Sequence, residues 1–184
     1  MLYLASTSPR RRQLLAAAGI GFSEIEPGPE PTGFGSPLEL AELRARSKAT
    51  GAESPGGTGW ILGVDTVVDL AGQELGKPRD EAQAQGYLAR LAGTEHQVHT
   101  ALCLVAADGS QEIGEVVTAR VRFQSLSAAD IRAFLATGAW RGKAGGYGIQ
   151  DPECGFAELL EGDLETVIGL PTAVVRALLQ RVGA

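Results

Sequence analysis

Between positions 60 and 68 the chain reads Trp60-Ile61-Leu62-Gly63-Val64-Asp65-Thr66-Val67-Val68. So continuous an apolar run, too short for a membrane span, predicts a strand covered on both faces. Such a strand needs cover on both faces, and strands alternating with helices along the rest of the chain imply a mixed α/β fold. Residues 2–5 and 22–26 read as short strands, and residues 9–18 as a helix capped by Ser8, with Pro9 at its first position and Gly19 at its end. The stretch 27–37 holds four prolines and three glycines and reads as a loop before a second helix over 38–49. Residues 80–91 form a helix with Ala84, Tyr87, Leu88 and Leu91 inward, stopped by Gly93.

Strands over 98–107 and 115–123 flank the turn signal Asp108-Gly109, so the sheet is expected to be mixed rather than purely parallel. Ser127 opens a helix through Leu135, residues 138–148 hold five glycines, a strand follows over 156–160, and a last helix follows Pro171. At 184 residues the chain is expected to form one large domain or two lobes sharing a cleft. Its 25 glycines, about twice the usual share of roughly 7%, are expected in turns and loops.

Charge narrows the function. A net charge of -6 argues against a general nucleic-acid or anionic-membrane binder, which would need a basic surface. No apolar stretch reaches the roughly 18 residues of a membrane span, so a cytoplasmic protein is expected. Cys103 and Cys154 are too far apart in sequence for a CxxC pair or a zinc knuckle, and two isolated thiols suit a reducing compartment.

Several residues are out of place. Arg10, Arg11 and Arg12 occupy the first helical turn, where unpaired N–H groups favour negative charge. An anion held at the helix start resolves the conflict, and so would acidic neighbours on a solvated surface. Asp65 interrupts the apolar run and must meet a metal, a cation or polar partners, hold its proton, or mark the strand's exit into solvent. Asp69 is the better candidate for that exit. Lys77 is held extended by Pro78. The segment Gly138-Ala139-Trp140-Arg141-Gly142-Lys143-Ala144 fails the spacing of a P-loop, yet could bring Arg141, Lys143 and backbone amides to a polyphosphate. His96 and His99 are three apart in a strand and point to opposite faces, which argues against a two-histidine metal site.

Together these pieces resemble the Maf-like nucleoside triphosphate pyrophosphatases. The resemblance rests on Leu4-Ala5-Ser6-Thr7-Ser8-Pro9-Arg10-Arg11, Gly63-Val64-Asp65-Thr66-Val67-Val68 and Gly76-Lys77-Pro78. It continues through Gly93-Thr94-Glu95-His96-Gln97-Val98-His99-Thr100, Lys143-Ala144-Gly145-Gly146-Tyr147-Gly148-Ile149-Gln150, and Gly162-Asp163 with Val167-Ile168-Gly169-Leu170-Pro171. It implies an elongated mixed-sheet α/β fold related to the inosine triphosphate pyrophosphatases, with two lobes around a cleft and often dimeric. It implies hydrolysis of a nucleoside triphosphate between its α and β phosphates, with Mg²⁺ or Mn²⁺ as cofactor. By position, Asp65 matches the family's proton acceptor, and Arg10, Thr66 and Gln150 match residues linked to substrate choice. Arg11, Lys77 and Lys143 match basic residues of the phosphate cleft, Lys48 a helical lysine near the site, and Glu30 an acidic loop residue. Asp65 and Glu30 are the carboxylates available to the metal.

The motif Gly-Tyr-Gly-Ile-Gln resembles the subgroup acting on dTTP and UTP more than the one acting on 7-methyl-GTP. The rival class is a non-catalytic nucleotide-binding regulator of cell division. Two departures stand out: Ala139-Trp140-Arg141-Gly142 replaces the Glu-Pro-x-Asp often found there, and Asp151 stands where a glycine is common.

Overall fold

In the computed structural model, which describes residues 1–33, 35–54, 56 and 58–184, the apolar run is part of one seven-stranded sheet. Phe34 of the Pro/Gly-rich loop lies outside the described residues. The elements run β1 (Leu2–Ala5), α1 (Pro9–Ala17), β2 (Ser23–Ile25), α2 (Pro37–Thr50), β3 (Trp60–Leu70), β4 (Gln73–Leu75) and α3 (Glu81–Leu91). They continue β5 (Glu95–Ala106), β6 (Glu112–Phe123), α4 (Ala128–Ala136), β7 (Ala157–Glu161), α5 (Leu164–Ile168) and α6 (Thr172–Arg181). The strand order is β2-β1-β3-β5-β6-β7, with β4 also on β3. β1 pairs in parallel with β2 and β3, and the remaining pairs are antiparallel. The mixed sheet expected from the hairpin is therefore present.

The edge of β3 is shared in a way that makes the site. Its first half pairs with β1 as far as Ala5 opposite Gly63, and its far end pairs with β4 from Val68 opposite Leu75. Residues 64–67 pair with neither. Asp65 and Thr66 thus sit at a break in the ladder, held from the other side by the unbroken pairing with β5. The long strands also join two packed regions. At one end Ala41, Ala45 and Ala49 of α2 pack on Val67, Ala101 and Cys103, while α1 and α6 cover the opposite face through Leu15, Val175 and Leu178. At the other end Leu88, Leu91, Phe123, Ile131 and Phe134 form a core beneath α3 and α4.

Several local expectations are corrected. β3 continues to Leu70, so Asp69 is no exit. Its carboxylate accepts from the Gly72 N–H at 2.7 Å and lies 3.2 Å from His99 Nε2. Ser8 occupies the cap position of α1 but its side chain makes no capping bond, whereas Ser36 and Ser127 close full capping boxes with Glu39 and Asp130. β4 and α5 were not anticipated, being too short to carry a hydrophobic period. Glycines are not confined to loops, since Gly63, Gly86 and Gly114 lie within β3, α3 and β6. Gly63 has a packing reason: a Cβ there would meet Ala45 O at 2.1 Å and Ala49 N at 2.6 Å, so α2 lies directly on the strand. Among the described residues no helix is long and apolar enough to cross a membrane.

Candidate active site

A cavity of about 410 Å³ opens at the break in β3 and is lined by all nine residues singled out from the sequence. Those are Arg10, Arg11, Glu30, Lys48, Asp65, Thr66, Lys77, Lys143 and Gln150. With Arg141, six cationic side chains line it against two carboxylates, on a chain that is acidic as a whole. An anionic ligand is the natural occupant.

Successive strand residues point to opposite faces, so Asp65 and Thr66 enter the site from two sides of the sheet. Asp65 faces α2. There Lys48 Nζ donates to Asp65 Oδ1 at 2.6 Å and reaches Glu30 Oε1 at 2.6 Å, and both Lys48 and Asp65 are buried. The close seat of α2 on Gly63 makes this reach possible. The Gly28 N–H donates to Lys48 O, and a Cβ at Gly28 would meet Ser47 O at 2.3 Å, so the loop lies against α2 and brings Glu30 to the lysine. Asp65 Oδ2 is left buried with no hydrogen-bond partner, and Arg44 NH1 lies 4.0 Å from it.

Thr66 faces α1 and α5. Arg11 donates through Nε to Gly169 O at 3.0 Å, through NH1 to Ser6 Oγ at 3.0 Å and through NH2 to Thr66 Oγ1 at 3.2 Å. Three of its five N–H groups are used this way, which leaves two for a phosphate oxygen. The Thr100 hydroxyl donates to Thr166 O at 2.7 Å, so the 3.0 Å contact between Thr66 and Thr100 is a donation from Thr66. Arg11, Thr66, Thr100 and the Thr166 carbonyl therefore form one directed chain. Burial pushes Arg11 down to about 10, against the pull of Asp65 and Glu30 and with help from Arg10. It keeps its charge at neutral pH. Arg12 is instead the surface arginine of the alternative reading, paired to Glu24 at 2.6 Å.

Arg10 NH2 donates to Gly142 O at 3.1 Å, which fastens the helix start to the glycine-rich segment. That segment is tied in turn to the loop of Lys77, because the Gly145 N–H donates to Gly76 O at 3.0 Å with Gly145 in the left-handed region. Desolvation lowers the Lys77 pKa, the Glu30 charge opposing it. Burial raises Glu30, but the hydrogen bond from Lys48 and the charges of Lys48, Lys77 and Arg44 outweigh it and hold the carboxyl below its ordinary range. Lys143 and Gln150 both donate to Asp151, the residue that stands where a glycine was expected.

The family model described as Maf-like protein matches residues 1–182. The chain belongs to the Maf-like family. A relative from Thermus thermophilus named dTTP/UTP pyrophosphatase is 42% identical over 179 residues, covering 97% of this chain and 92% of the relative. One of the same name from Hyphomonas neptunium is 40% identical over 185 residues, covering 99% and 95%. A solved structure titled nucleoside-triphosphatase / dITP/XTP pyrophosphatase from Mycobacterium abscessus matches with a TM-score of 0.41 at 15% identity, covering 99% of this chain and 94% of that chain, a likeness too slight to bear on kinship of fold.

Ser6 and Thr100 stand in the Maf-like motif blocks but were given no role from the sequence, and Arg44 and Thr166 were missed altogether. Arg44 lies one turn before Lys48 on α2 and hydrogen-bonds Glu74 through both terminal nitrogens, so a spacing of four on one helix was the available signal. His96 and His99 do point to opposite faces. His99 sits 2.8 Å from Thr118 Oγ1, and His96 Nε2 sits 2.7 Å from the hydroxyl of Tyr147, a cavity wall residue. Burial pushes His96 down to about 4 from 6.5, so the unfolded chain binds this proton between those values and the folded protein does not. Stability from His96 is complete above pH 6.5 and falls by about 3 kcal/mol as pH drops to 4. Denaturant midpoints across that window should drop more steeply in the native protein than in His96→Gln, and equal slopes would refute the assignment.

Proposed function

We propose that the protein hydrolyses dTTP and UTP to the monophosphate and pyrophosphate with a divalent cation. One observation carries this reading: a buried carboxylate whose Oδ1 is held by Lys48 while its Oδ2 has no partner, set in a cavity lined by six cations. A site that only bound nucleotide would gain nothing from such a carboxylate unless a metal intervened, since it repels phosphate. As a proton acceptor it has a role. In the proposed step a water oxygen bonds to the α phosphorus, the bond from that phosphorus to the bridging oxygen breaks, and pyrophosphate leaves. Asp65 takes the water proton at Oδ2, and Arg11, Lys77 and Lys143 neutralise the phosphates.

The donor set fits a hard cation. Asp65 Oδ2 is an unsatisfied carboxylate oxygen, and Glu30 reaches the same lysine from the rim. Among the described residues no group of three or more His, Cys, Asp or Glu gathers to hold a metal by itself. Mg²⁺ or Mn²⁺ would thus be held by Glu30 and substrate phosphates, with Asp65 Oδ2 a ligand only in the alternative in which Asp65 is not the base, and phosphates are commonly part of how Mg²⁺ is bound. When bound, it would offset charge on the phosphates. Support for dTTP and UTP comes from the relatives' names and from Gln150, whose amide can pair with the N3–H and a carbonyl of uracil or thymine.

Incubation of a nucleotide panel in ¹⁸O water with Mg²⁺ or Mn²⁺ tests the proposal. The expected result is UTP and dTTP turned over above CTP and GTP, with the label in the monophosphate. Diphosphate and orthophosphate as products would refute the reaction, and preference for a methylated guanine triphosphate would refute the substrate.

A further inference from the structure

Asp151 joins two groups that the proposed function assigns to different parts of the substrate. Its Oδ2 accepts from Lys143 Nζ in a largely buried pair, and its Oδ1 accepts from Gln150 Nε2 at 2.9 Å. The side chains of Asp151 and Gln150 lie over Gly148, where a Cβ would meet Asp151 Oδ2 at 2.6 Å and Gln150 Nε2 at 2.9 Å. The orientation of the Gln150 amide is dictated by chemistry, because a carboxylate can only accept and the amide must turn its nitrogen to it. Gln150 also lines a second cavity of about 400 Å³ that adjoins the first, with Arg10 and Lys143 between them and Leu14, Ala17 and Ile168 as apolar surface for a ring.

We propose that Asp151 is a specificity-determining positioning residue, which fixes the Gln150 amide so that the enzyme accepts uracil and thymine and rejects cytosine. With one N–H given to Asp151, Gln150 presents Oε1 and its other N–H. That pair matches the N3–H donor and adjacent carbonyl of uracil or thymine, and it opposes cytosine, whose N3 is an acceptor. An amide free to turn over would fit either ring. The inference rests on Gln150 reading the base.

The test compares the ratio of kcat/KM for UTP over CTP in the native enzyme, Asp151→Ala, Asp151→Asn and Gln150→Ala. Alanine frees the amide, so the ratio falls about tenfold, within the range of one well-made base contact. Asparagine does more. It offers one acceptor, which the charged Lys143 takes, and its NH₂ then faces Gln150. Gln150 must turn its carbonyl to that NH₂ and its own nitrogen to the base, which suits cytosine. The expected order of the ratio is native, then Asp151→Ala, then Asp151→Asn. Release of Lys143 acts on the triphosphate common to all substrates and cancels, and the ratio is insensitive to the fraction of folded enzyme.

A merely structural Asp151 gives the reverse order for the two variants, because asparagine is its nearest isostere. That reverse order, or native ratios in both variants, overturns the inference while Gln150→Ala still collapses the ratio. An unchanged ratio in Gln150→Ala overturns the base reading and the inference with it.

Discussion

Asp65→Asn should lower turnover of UTP and dTTP by about 10²- to 10⁴-fold while leaving nucleotide affinity within a few fold of the native value. The asparagine keeps the size of the side chain and an oxygen for Lys48 to donate to, so the buried contact at Oδ1 survives. Lost are the negative charge and the acceptor at Oδ2, the oxygen for which the fold supplies no partner. Lys48 retains Glu30 as a counter-charge, so no uncompensated cation is left in the interior. The variant therefore separates chemistry from folding, which Asp65→Ala, with its cavity and a half-paired lysine, would not. Single-turnover kinetics beside an equilibrium titration of the same nucleotide give the two readings. Near-native turnover would remove Asp65 as the base.

The site was legible where sequence order and geometry coincide. The run from Trp60 announced β3 because burial on both faces leaves no room for polar residues, and Asp65 stood out against it for the same reason. The three arginines after Ser8 conflicted with the helix start, and the structure divides them: Arg11 goes inward, Arg10 crosses to Gly142, and Arg12 pairs at the surface. No local pattern distinguishes those three fates, which depend on where α5 and the glycine-rich segment lie. Placing Lys48 and Glu30 near Asp65 required the family resemblance, since the loop that carries Glu30 has no period to read. Arg44 was legible in principle from its spacing to Lys48. The directed chain through Thr66, Thr100 and Thr166 was not, because it joins residues as much as 66 positions apart and is set by strand register.

Asp151 shows a further limit. Its difference from glycine was visible in the sequence, but its consequence lies in two acceptor contacts that exist only once the segment folds back over Gly148.

Gly63→Ala should be among the most damaging single methyls that can be added to the site's scaffold. The new Cβ would stand 2.1 Å from Ala45 O, 2.6 Å from Ala49 N and 2.9 Å from Ala49 Cβ, all in α2 and two of them backbone atoms. No side-chain rotation relieves that, so the helix must lift from β3. Overpacking of this kind typically costs about 1–3 kcal/mol, occasionally more, and contacts with the backbone of α2 rather than with a movable side chain place this case at about 3 kcal/mol. Lifting α2 also draws Lys48 from Asp65, so turnover should fall well beyond the loss of folded protein. Gly86→Ala in α3 is the matched control, since nothing lies within 4 Å of its Cβ and alanine in a helix interior should stabilise by about 0.5–1 kcal/mol. Thermal midpoints of the two variants should therefore move in opposite directions. A native midpoint for Gly63→Ala would mean that α2 does not rest on the strand at this depth, and the contact between Lys48 and Asp65 would lose its structural basis.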